Sequence, residues 1–88
     1  MTKKIFTYEF EQNRPNQITY EYSLEEDEKL DTEIDGEEAV LYLNKSGARM
    51  LAKILIKMAE GDYEKGFHVH LNKDFGELSQ RLRVVLSS

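Results

Sequence analysis

Asn44-Lys45-Ser46-Gly47-Ala48-Arg49-Met50-Leu51-Ala52-Lys53-Ile54-Leu55-Ile56-Lys57-Met58-Ala59-Glu60-Gly61 is the stretch that decides the fold. Met50, Leu51, Ile54, Leu55 and Met58 fall at i, i+1, i+4, i+5 and i+8, which places five apolar side chains on one stripe of a helix. Arg49, Lys53, Lys57 and Glu60 flank that stripe or point away, and Ile56 lies off it and is expected to be exposed. Asn44 or Ser46 supplies a side-chain oxygen to cap the first turn. Gly61 supplies the stop, where a residue without Cβ tolerates the left-handed conformation of a helix end.

Downstream, Phe67-His68-Val69-His70-Leu71 alternates with period two, and so does Arg81 to Leu86, with Leu82, Val84 and Leu86 on one side. Upstream, Ala39-Val40-Leu41-Tyr42-Leu43 is a short apolar strand entered through Asp35-Gly36, a turn signal. Leu30 to Asp35 reads better as an edge strand than as a helix, because helical spacing gives Leu30 and Ile34 only two apolar contacts. Near the N-terminus, Phe6, Tyr8 and Phe10 alternate with polar neighbours, and Ile18, Tyr20, Tyr22 and Leu24 do so after a turn around Pro15. These two segments form an expected hairpin. The pattern predicts an α+β domain: a single antiparallel sheet of four to five strands with one helix packed across one face and the other face at least partly open.

With 88 residues the chain is expected to form one small α+β domain, residues 1–88, too small for a deep enclosed active site. It has no cysteine, which removes disulfides, thiolate nucleophiles and cysteine metal sites. The N-terminus shows no signal-peptide core and no apolar run approaches the roughly 20 residues that cross a bilayer, so a cytoplasmic protein without membrane contact is expected. No Gly-rich phosphate loop or Gly-x-Ser-x-Gly occurs, and the carboxylates crowd a polar stretch where nothing would desolvate one into a general acid. No enzyme activity and no cofactor are expected.

The net charge of −5 is the sum of two unlike regions. Glu21 to Glu38 holds ten acids against Lys29, a charge of −9, and the other 70 residues come to +4 with their bases scattered. Such a block repels phosphate backbones and anionic lipid, so nucleic-acid binding is disfavoured. One reading makes the block a solvated loop or edge that maintains solubility. The other makes it, through Glu25, Glu26, Asp27 and Glu28, a docking surface for a basic protein, with encounter accelerated by opposite charge.

His68 and His70 are two apart on a strand, so both project from the face opposite Val69. They could bind a metal, hydrogen-bond neighbouring strands, or recognise a partner. A metal site needs further ligands for which no companion motif exists. If the last strand pairs with this one, Arg81 and Arg83 share the histidines' face and make a basic, aromatic-like patch of the kind favoured at binding hot spots. The plainer alternative is exposed arginines in weak ion pairs with Glu9 or Glu21.

The helix stripe, the Gly61-Asp62 exit and Phe67-His68-Val69-His70-Leu71 together resemble immunity protein family 32 of bacterial polymorphic toxin systems, over roughly Ala39 to Leu86. That family shows a strand, a Leu-rich helix, a loop, a strand ending in a His-Val-His-Leu-like motif and a final strand. The resemblance implies a protein that neutralises a toxin by binding it, with His70 and Leu71 the matching positions. The expected function is therefore a non-catalytic protein-binding module of the immunity type with a protein partner such as a basic toxin domain. The alternatives are a small metal- or ligand-binding protein using His68 and His70, and a homodimer joined through an open sheet face or edge.

Overall fold

The computed structural model describes residues 2–11, 17–19, 27–71 and 82–88. Its elements are β1 (Leu30–Asp35), β2 (Glu38–Leu43), α1 (Lys45–Glu60), β3 (His68–His70) and β4 (Arg83–Val85), an α+β arrangement.

Alternation along β1 sends Leu30 and Thr32 inward and leaves Asp31, Glu33 and Asp35 in solvent. Gly36 has φ +62° and among the described residues no residue type but glycine takes a positive φ, so Gly36-Glu37 has the sign pattern of a two-residue type II′ turn. That turn fixes an antiparallel register from Asp35 opposite Glu38 to Leu30 opposite Leu43. The edge-strand expectation for Leu30 to Asp35 is met.

Of the two candidate caps, Asn44 starts α1. Its Oδ1 accepts from the Gly47 amide at 2.7 Å and from the Lys29 amide at 2.9 Å, and its Nδ2 donates to the Asp27 carbonyl at 2.7 Å. One side chain thus closes the first turn and holds the chain entering β1. Ser46 Oγ donates to Glu28 Oε1 at 3.1 Å, and the backbone of Lys29 presses against Gly47 so closely that no Cβ fits there. At the other end the Gly61 amide donates to the Lys57 carbonyl at 2.8 Å. Gly61 itself is extended (φ −82°, ψ 171°), so the helix stops by straightening and not through the expected left-handed glycine.

The core consists of Met50, Ile54 and Met58 from α1 against Leu30, Val69 and Leu71, with Ile18, Leu51, Phe67, Leu82, Val84 and Leu86 packed around it. Only the centre of the expected stripe is covered. Leu55 is 44% exposed, much like Ile56 at 40%, because the inner face is completed by Ser46, Gly47 and Lys57. Lys57, expected to flank the stripe or point away, is buried along its stem and donates from Nζ to the Thr19 carbonyl at 2.6 Å.

β3 and β4 pair antiparallel, His68 opposite Val85 and His70 opposite Arg83. Backbone bonds from Leu71 to Leu82 and from Leu86 to Phe67 continue the contact past both strand ends. Among the described residues the strands form two two-stranded sheets, β1–β2 and β3–β4, and not the single sheet of four to five strands. Each pair closes on its own partner, and α1 supplies the apolar surface that a two-stranded ribbon needs.

The expected first strand is also corrected. Phe6, Tyr8 and Phe10 do lie on one side of the chain, with ring centroids 6.3 and 5.9 Å apart, but residues 2–11 form no strand and Ile5 and Phe6 are 79% and 61% exposed. Lys53 Nζ lies 5.5 Å from the Tyr8 ring centroid, a cation–π contact with the helix flank. The second strand of that hairpin falls mostly outside the described residues. Just before it, at the end of the expected turn, the Gln17 carbonyl accepts from Tyr63 Oη at 2.6 Å, and Tyr63 stacks on Phe67 at 4.1 Å.

Candidate functional site

Two surfaces carry the chemistry singled out in the sequence. The first is the outer side of β3–β4. Strand alternation buries Val69 and turns His68 and His70 the other way, and the register sets Arg83 directly across from His70. The expected grouping of His68, His70 and Arg83 on one face is present; Arg81 lies outside the described residues. The two imidazoles meet edge to face, 4.8 Å between centroids at 86°. His68 Nδ1 is 3.0 Å from the Gly66 carbonyl. A carbonyl only accepts, so Nδ1 carries the proton and Nε2 faces outward as an acceptor, or as a second donor when the ring is protonated. The face therefore offers a guanidinium fork beside two rings able to donate or accept, suited to carboxylates, carbonyls and aromatic faces of another protein.

The second surface is the acidic block, and it divides. Glu25 and Glu26 lie outside the described residues. Asp27 is exposed, with its carbonyl held by Asn44. Glu28 is half-buried and accepts from Ser46 in the first turn of α1, where the positive end of the helix dipole favours an anion. This carboxylate has a structural task. Asp31, Glu33, Asp35, Glu37 and Glu38 belong to the β1–β2 hairpin and are all exposed. Half of the block's ten acids thus sit on an ordered, solvent-exposed ribbon, an edge and not a loop.

Register sorts that ribbon into two unlike faces. Leu30, Thr32 and Ile34 share one with Leu43, Leu41 and Ala39, and Asp31, Glu33 and Asp35 share the other with Tyr42, Val40 and Glu38. Tyr42 Oη donates to Glu33 Oε2 across the acidic face at 3.3 Å. The negative Glu33, with a smaller contribution from Asp31, holds the Tyr42 phenol above its ordinary pKa of 10.0.

The apolar face is anchored at its base, where Leu30 joins the core, and overhangs toward the turn, where Ile34 is 57% exposed. Under the overhang is a cleft of about 210 Å³ lined by Thr32, Glu33, Ile34, Ala39, Val40, Leu41 and Leu82. Sequence reasoning took Ala39 to Leu43 simply as an apolar strand and missed this surface. The signal was present: the two-residue turn at Gly36 fixes which residues oppose which, and so puts Ile34, Ala39 and Leu41 together.

Among the described residues no group of three or more His, Asp or Glu is placed to hold a metal ion, and no helix is long and apolar enough to cross a membrane. Compared with known proteins, the chain matches no family model, no curated protein and no solved structure.

Proposed function

We propose that this chain is a non-catalytic protein-binding domain that acts as an immunity-type inhibitor, neutralising a partner toxin by occupying its surface. The observation that supports this most is the grouping of His68, His70 and Arg83 on the solvent side of β3–β4, backed by a buried Val69. Side chains that vary hydrogen-bonding role and charge, fixed on a strand pair welded to the core, suit recognition of another protein. The resemblance of Ala39 to Leu86 to immunity protein family 32 supports the same reading, and the acidic hairpin would favour a basic partner.

The test is co-purification with the product of the adjacent gene over a salt series, together with growth protection against that product. Binding that weakens with salt, and protection lost in a His70→Ala, Arg83→Ala double variant that remains folded, are the expected results. Absence of binding at every salt concentration overturns the reading. The metal-binding alternative rests on the closeness of the two imidazoles; stoichiometric zinc in untagged protein, lost in His70→Ala, would favour it instead.

A further inference from the structure

We propose that the cleft beneath the β1–β2 overhang is the docking site for a basic segment of a partner protein, which inserts one apolar side chain while its flanking lysines or arginines meet the hairpin carboxylates. This deepens the binding-domain reading and rests on it.

Three observations carry it. Among the described residues the cleft is lined mostly by apolar residues, Ile34, Ala39, Val40, Leu41 and Leu82, with Thr32 and one charged residue, Glu33. Its volume of about 210 Å³ falls below the roughly 300–1,000 Å³ of small-molecule sites, which suits a side chain better than a cofactor. The hairpin itself carries charge of one sign: from Leu30 to Asn44 there are five carboxylates and no base, with Lys29 and Lys45 at its base and Arg83 beside Leu82. Asp35, Glu37 and Glu38 crowd the turn beside the wall residues Ile34 and Ala39.

The charge selects the occupant. A second copy docking by the same hairpin would bring two clusters of carboxylates together, which costs free energy, and an anionic lipid or a nucleic acid would meet the same repulsion. A segment with Lys or Arg on either side of a Leu, Ile, Met or Phe gains twice. Its apolar group leaves water in the cleft, and its cations approach the exposed carboxylates of Asp35, Glu37 and Glu38 at the turn.

The experiment uses amide chemical-shift mapping of the full chain with three synthetic ten-residue peptides: a lysine–serine sequence with one central leucine, the same with serine at the centre, and a glutamate–serine sequence with leucine. The leucine–lysine peptide is expected to shift amides of β1, β2 and Leu82. Its affinity should fall roughly tenfold in Ile34→Ser and in Leu41→Ser, whose side chains are already partly in solvent and should not unfold the chain. Glu33→Gln with Glu38→Gln should weaken it too, as should about 1 M salt, where the screening length is about 3 Å. Equal binding of the serine-centred peptide, shifts centred on His68 and Arg83, or no shift at all overturns the proposal. A physiological partner retained undiminished by the Ile34→Ser, Leu41→Ser double variant overturns it as well, while leaving the protein-binding reading standing.

Discussion

In β1–β2, six residue pairs carry only Leu30 and Thr32 fully inward and leave Ile34, Leu41, Tyr42 and Leu43 open to solvent. In β3–β4, three pairs suffice to bury Val69 to 5%, with Leu71 at 0% immediately beyond the strand. Length of pairing and depth of burial run in opposite directions. The short ribbon lies against the centre of α1 and is held by Met50, Ile54 and Met58; the long one touches the core at its base and projects past it. Strand hydrogen bonds therefore set the shape of each ribbon, while apolar contact with the helix decides which is structural and which remains available to another molecule.

The largest effect that sharpens this contrast comes from truncating each ribbon. Leu71→Ala should cost about 2–5 kcal/mol, and Ile34→Ala should stay within about 0.5 kcal/mol, both read from urea unfolding midpoints. A comparable loss from both would break the comparison and make the overhang part of the core.

Next comes the junction between the long ribbon and α1. Gly47→Ala would ordinarily favour a helix, but here the added Cβ meets the Lys29 carbonyl and Asn44 Oδ1, so a loss of about 1–3 kcal/mol is expected. Asn44→Ala removes the cap and the two bonds to residues 27 and 29, and should cost about 1–2 kcal/mol. A stabilised Gly47→Ala variant in thermal unfolding would contradict the close packing of Lys29 on the helix.

The smallest effect is a titration. With the Tyr42 pKa raised in the fold, the unfolded chain releases that proton first as pH climbs past about 10. The folded state then holds more protons than the unfolded one, and stability falls with rising pH until Tyr42 ionises in the fold too. Glu33→Gln should bring the Tyr42 phenolate absorbance back toward pH 10, and Tyr42→Phe should remove that component. An unmoved titration in Glu33→Gln would show that the carboxylate does not set the phenol's charge state.

What the sequence made legible was local. The helix from Lys45 to Glu60, its Asn44 cap, the strand at Leu30 to Asp35 and the outward placement of His68 and His70 follow from spacing and capping chemistry that act over a few residues. What it hid was nonlocal. Whether Leu55 is covered depends on how wide a layer lies beneath α1, and the periodicity of α1 carries no information about that width. Lys57 looked solvent-facing because its charge was weighed and its four-carbon stem was not. The period-two aromatics at Phe6, Tyr8 and Phe10 share a side as expected, yet alternation alone does not supply a hydrogen-bonding neighbour, and residues 2–11 form no strand. Of the candidate site, the face shared by His68, His70 and Arg83 could be read from parity; the cleft under Ile34 needed the third dimension, because Leu82 reaches it from far along the chain.

Asn44 has a consequence for how the molecule opens. Because a single amide both terminates the first helical turn and grips the strand leading into β1, neither can loosen without releasing the other. The base of the long ribbon and the start of α1 should consequently exchange their amide hydrogens as one cooperative unit, with the ribbon's far end opening separately.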